Sequence, residues 1–146
     1  MHGSQGAGCA PVATAFAAGT DQVIPVKPTG IAKSLAIGSP ADGVYALDVA
    51  RRTGGSIEAV SDGEIVDGIR LLASTTGIFT ETAGGVTTAV LARLAERGDI
   101  GDDETVVVYI TGDGLKTIDA VEPSVETISV APDPDEVDAA LAAVAR

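Results

Sequence analysis

Apolar positions fall into short runs and helical stripes that alternate along the chain, with glycine at most of the breaks. A glycine-rich opening, Gly3–Gly8, leads into an Ala-rich run over Ala10–Ala18 that reads as a helix ending at Gly19. Residues 20–30 hold two prolines and read as a connection, and Ile31–Ile37 as a short extended or helical segment. Ser39-Pro40 predicts a helix start running to about Thr53, with Gly54-Gly55 behind it. Ser56–Val60 predicts a strand. Ser61 followed by Glu64 is a capping box, and Ile65, Ile69, Leu72 and Ala73 repeat at helical spacing on the way to Ser74. Ile78–Thr80 predicts a short strand. Thr82 can cap a helix through Val86, Val90, Leu91 and Leu94 to Arg97, stopped by Gly98. After the acidic loop Asp99–Glu104, β-branched residues and one tyrosine fill Thr105–Ile110, the pattern of a strand covered on both faces. Thr127–Val130 predicts an edge strand, and Asp133-Pro134 with Glu136 starts a last helix to about Val144.

Alternating helices and strands imply βα units: an α/β domain with an open, mainly parallel sheet and helices on both faces, in three layers. Ligands of such sheets sit beyond the carboxyl ends of the strands. Thr111 is therefore a hydroxyl delivered to a ligand position, and Gly112 and Gly114 let the backbone come close to it. Glu81 ends another strand, ahead of a helix that opens with Ala83, Gly84 and Gly85, so a carboxylate meets helix-terminal amides there. The plain structural readings are a strand-ending threonine satisfying local backbone and a first-turn acid. Gly3–Gly8, glycine-rich ahead of a helix, also has the form of a phosphate loop.

Composition narrows the partners. A chain of 146 residues can build one domain with a real core, made here of Ala, Val, Ile and Leu because aromatics are only 3%. A net charge of -12 repels nucleic-acid phosphates and anionic membrane surfaces, so neither is expected as a partner. No apolar run reaches the roughly 20 residues needed to span a bilayer, and no signal peptide is visible. The single cysteine, Cys9, rules out an internal disulfide and fits a reducing cytoplasm. His2 is the one histidine, so no metal cluster is expected, and Asp99, Asp102, Asp103 and Glu104 match no calcium-loop spacing.

Four blocks then carry a family likeness, in order: Gln5-Gly6-Ala7-Gly8-Cys9-Ala10-Pro11, Ile31–Ala41 with Ile37-Gly38-Ser39-Pro40, Gly77-Ile78-Phe79-Thr80-Glu81-Thr82-Ala83, and Thr111-Gly112-Asp113-Gly114-Leu115-Lys116. They are similar to the threonine synthase blocks Gln-x-x-Gly-x-x-Pro, Ala-x-x-Ile-Gly-Asn-Pro, Gly-Ile-Phe-x-Glu-Pro-Ala and Thr-Gly-x-Gly-Leu-Lys. The chain thus resembles the C-terminal part of threonine synthases, pyridoxal-phosphate enzymes of the second fold type, over residues 3–120. Ser39 stands where the family often has Asn, and Thr82 where it often has Pro. The resemblance implies part of the large domain of that fold, with 121–146 a strand and helix extension packed on it. It implies pyridoxal phosphate as cofactor, with the Thr111 hydroxyl approaching the pyridine nitrogen and Gly112, Gly114 and Glu81 beside it. It also argues against the phosphate-loop reading of Gly3–Gly8, which matches a segment downstream of the family's true phosphate loop.

That loop and the Schiff-base lysine belong to the family's N-terminal half. Lys27, Lys33 and Lys116 do not lie in the Schiff-base motif, so no catalytic residue is assigned and the chain alone is expected to be inactive. The implied reaction is O-phosphohomoserine and water to threonine and phosphate. The implied partners are a companion carrying the N-terminal half and further copies of the chain, since half an enzyme exposes apolar surface and sheet edges. The alternative is a stand-alone, non-catalytic remnant or subunit that binds a partner chain or a small anion.

Overall fold

The computed structural model describes residues 1–124 and 127–144. Its sheet pairs β1 (Gly3–Gly6) with β2 (Ile57–Val60) in parallel, in the register Gly3 to Ile57 through Gly6 to Val60. Between them run α1 (Pro11–Ala17) and α2 (Gly43–Arg52). After β2 come α3 (Asp62–Thr76) and α4 (Thr82–Glu96), and α5 (Pro134–Val144) closes the chain.

The period-two alternation of β2 sorts the molecule into three layers. Ile57 and Ala59 pack with Val12, Ala13 and Ala15 of α1 and Leu47 and Ala50 of α2. Val60 turns the other way, into Ile65 and Ile69 of α3 and Val86, Val90 and Leu94 of α4, with Ala32 and Val121. Helices therefore cover both faces of a parallel sheet, the α/β arrangement the sequence implies.

Local chemistry explains why the helices begin where they do. Ser61 and Glu64 form the reciprocal capping box, and Gly77, at φ 75°, closes α3 in the left-handed region. The Gln5 side chain accepts from Val12 N at 3.0 Å and Ala13 N at 2.9 Å, so β1 itself caps α1. Two first-turn amides that a phosphate at this helix would reach are thus already taken by Gln5. α2 starts three residues later than Ser39-Pro40 suggests, because Ala41 and Asp42 are spent in a turn.

α3 and α4 pack at glycine. A Cβ on Gly68 would lie 2.4 Å from the Gly85 carbonyl oxygen, and one on Gly85 would lie 2.6 Å from that of Ile65. Ions then tie this layer to the sheet. Arg93 of α4 bonds Ala59 O at 2.9 Å, Glu58 at 3.4 Å and Glu64, while Arg97 bonds Glu58 and Asp99.

Two expected strands are corrected. Thr105–Ile110 and Thr127–Val130 carry no strand. A β ladder needs a neighbour, and among the described residues none is hydrogen-bonded to either segment, so β-branched composition alone does not order them. Ile78–Thr80 is likewise reduced to one antiparallel bridge, Thr80 to Asp113.

Candidate functional site

The third and fourth sequence blocks, well apart in the chain, meet at that bridge. Backbone bonds run from Glu81 N to Gly112 O, 3.1 Å, and from Gly114 N to Phe79 O, 3.1 Å. The Thr80 hydroxyl, fully buried, donates to Gly112 O at 3.0 Å. Thr82 N donates to Thr117 Oγ1 at 3.1 Å. Asp113 accepts from Leu115 N at 2.9 Å and so caps the short 3₁₀ turn Gly114–Ala120.

The glycines are required by contact. A Cβ on Gly112 would fall 2.3 Å from the Glu81 carboxyl carbon, and one on Gly114 would fall 2.5 Å from the Phe79 ring. The turn thus lies flat against Phe79 and Glu81, so that a larger residue at 112 or 114 would have to displace the Glu81 carboxylate or the Phe79 ring.

Of the four expected site residues, the structure brings Glu81, Gly112 and Gly114 together and sets Thr111 at the border. Glu81 is buried and occupies the N-cap position of α4, a place sequence spacing gives to Thr82. Its carboxylate makes no capping bond and lies against Gly112 instead. Thr111 is exposed, and its hydroxyl makes no hydrogen bond among the described residues. Three residues that the sequence reading passed over do the anchoring: Phe79, Thr80 and Thr117. Their alternation, Phe79 and Glu81 toward the turn with Thr80 buried between, is the signal that could have found them. Thr82 Oγ1 is buried with no partner among the described residues.

Lys27, Lys33 and Lys116 are all exposed. An apolar hollow of about 320 Å³ lies beside Gly3, Tyr45 and Ile57, and a groove of about 300 Å³ between α3 and α4; neither includes Thr111 or Glu81. The arrangement offers a hydroxyl donor, a buried carboxylate and tight backbone side by side. Among the described residues no cluster of acids, histidines and cysteines could hold a metal, and no helix is long and apolar enough to cross a membrane.

Comparison with known proteins identifies the family. Residues 1–112 match the family described as pyridoxal-phosphate dependent enzyme. The threonine synthase of Methanocaldococcus jannaschii is 42% identical over 132 residues, which is 89% of this chain and 33% of that protein. The threonine synthase of Methanosarcina acetivorans is 36% identical over 99% of this chain and 34% of its own. The chain thus spans about a third of the length of these relatives. A fungal L-serine ammonia-lyase from Rhizomucor miehei shares the fold, with a TM-score of 0.61 and 21% identity, over 83% of this chain and 40% of that one. A neutral hydroxyl donor at the end of the Thr111 turn suits a ring nitrogen, so the residues present fit one side of the family's cofactor. On this evidence the chain belongs to the pyridoxal-phosphate dependent enzyme family.

Proposed function

We propose that the chain is the C-terminal portion of a threonine-synthase-like enzyme, which converts O-phosphohomoserine and water to threonine and phosphate. The reading is carried by the Thr111–Gly114 turn, pinned by paired backbone bonds to Phe79–Glu81 with its hydroxyl uncommitted. Identity to threonine synthases of two archaea supports it.

Pyridoxal phosphate, when bound, supplies the electron sink that makes the substrate's carbon–hydrogen bond acidic. The residues of this chain position it. Thr111 would be the residue to donate a hydrogen bond to the ring nitrogen, without protonating it as a carboxylate at that place would favour. Gly112 and Gly114 keep the turn close to Phe79 and Glu81, next to Thr111. Glu81, shut away from bulk water, packs its carboxylate against Gly112. None of the three lysines serves as the reactive amine, so the 146 residues alone are inactive.

The test is phosphate release from O-phosphohomoserine with pyridoxal phosphate present. The chain alone is expected to release none, and borohydride reduction to label none of its lysines stoichiometrically. Combined with the two thirds of the M. jannaschii threonine synthase that the match leaves uncovered, it is expected to release phosphate and form threonine in equal amounts. Turnover by the chain alone would overturn the assignment. Release of ammonia from serine or threonine by the combination, with no phosphate release, would replace the substrate class.

A further inference from the structure

Thr111 is exposed and its hydroxyl has no partner among the described residues, so whatever aims it acts through its neighbour Gly112. Glycine brings no side chain to that task and has the widest choice of backbone angles of any residue. Its carbonyl is nonetheless held twice. The Glu81 amide donates to it at 3.1 Å and the Thr80 hydroxyl at 3.0 Å, one donor for each lone pair.

The two donors differ in origin. The Glu81 amide belongs to the antiparallel bridge, and any residue but proline at 81 would supply it. The Thr80 donor is a side chain, fully buried, with no other partner among the described residues. A glycine makes room for it: a Cβ on Gly84 would lie 2.0 Å from Thr80 Oγ1 and 2.8 Å from Thr80 Cβ. Valine would fill the same space at Thr80 without the risk of a buried hydroxyl left unbonded. Thr80, Gly84 and Gly112, drawn from two separate segments, thus meet around one carbonyl next to Thr111.

We infer that Thr80 is a positioning residue for cofactor binding: its hydroxyl, through the Gly112 carbonyl, sets the direction of the Thr111 hydroxyl. This rests on the function proposed above, in which Thr111 meets the ring nitrogen of pyridoxal phosphate. Fully buried, Thr80 acts through Gly112 alone. With both donors in place, only the backbone angles of Gly112 separate Thr111 from a fixed point. With the Thr80 donor removed, the carbonyl can swing about its one remaining bond, to the Glu81 amide. Thr111 is then less often aimed at the ring, and a less pre-organised donor binds less tightly.

Thr80→Val and Thr80→Ser test this in two measurements. In the 146-residue chain alone, exchange of the Glu81 and Gly114 amides, the two donors of the bridge, is expected to quicken about tenfold in the valine variant, with α3 unchanged. The serine variant keeps the hydroxyl donor and is expected to stay near the parent. The chain is then combined with the two thirds of the M. jannaschii threonine synthase that the match leaves uncovered, and pyridoxal phosphate is titrated by absorbance. Thr80→Val is expected to weaken binding about three- to tenfold, and Thr80→Ser to restore it. Thr111→Val is expected to weaken binding at least as much, and adding Thr80→Val to it to cost nothing further. Losses that add in the double variant, a valine variant equal to the parent in either measurement, or no rescue by serine would overturn the inference and leave the function standing. A parent combination that binds no pyridoxal phosphate would refute the function, and this inference with it.

Discussion

Two residues show how much a single polar atom can weigh. Thr82 Oγ1 is buried without a partner among the described residues, while Thr82 N is bonded to Thr117. An unmade hydrogen bond at a buried hydroxyl costs about 1–3 kcal/mol. Thr82→Val removes the hydroxyl, keeps the shape and keeps the N–H. It is expected to stabilise the chain by about 1 kcal/mol in urea unfolding. Thr82→Pro deletes the donor to Thr117 and should gain less; equal gains would mean that bond is worth nothing. Glu64 is the opposite case, a carboxylate with too many partners to give up its charge. The Ser61 backbone N–H and hydroxyl, with Arg93 behind them, hold it at about 2, well below the usual carboxylate range. A lowered carboxyl stabilises the fold above its unfolded value and loses that contribution as pH falls toward 2. Its side chain is 45% exposed, so solvent screening reduces the effect to on the order of 1 kcal/mol. Glu64→Gln keeps a capping-box acceptor and loses the titration. Its stability measured from pH 5 to pH 2 is expected to fall less steeply than that of the parent.

Among the elements, those legible in the sequence are the ones decided within a turn or two of chain. The capping box of α3 depends on Ser61 and Glu64 alone, and β2 carries its own alternation; both appear where the spacing places them. Thr105–Ile110 has a stronger strand composition than β1, yet β1 is a strand and it is not. Pairing is a property of two segments, and only β1 has its partner within the described residues. The site was half legible for the same reason. Glycines at 112 and 114 signal close approach, but that the thing approached is Phe79 and Glu81 comes only from the fold. The α3–α4 contact gives a direct test of close approach against helix propensity. Gly→Ala inside a helix gains about 1 kcal/mol from propensity. At Gly63, with nothing within 4 Å of a new Cβ, that gain should appear as a higher urea midpoint. At Gly68 the Cβ would lie 2.4 Å from Gly85 O, and backbone must move. Overpacking costs of about 1–3 kcal/mol outweigh the propensity, so Gly68→Ala is expected to lower the midpoint. A rise at both positions would mean that the helices part at no cost.

The whole molecule is organised around a core that stops well before the chain does. Both apolar clusters draw on residues 9–100, and Val121 is the one buried contributor beyond them among the described residues. The remainder of the last third is held by the Thr80–Asp113 bridge, the bonds around Gly112 and Thr117, and little else. A chain ending after Ile100 is therefore expected to keep its helices in far-ultraviolet circular dichroism and to unfold cooperatively. Burying a valine contributes about 1.5–3 kcal/mol, so losing Val121 should lower stability by roughly that amount. The denaturant slope separates this account from a more uniform one, because it scales with the surface exposed on unfolding. Residues that are already exposed add almost nothing to it. The shortened chain should keep nearly the full slope, with only its midpoint reduced. A slope that dropped by about a third, in step with chain length, would place the last third inside the cooperative unit. Thr105–Ile110 would then be ordered from within.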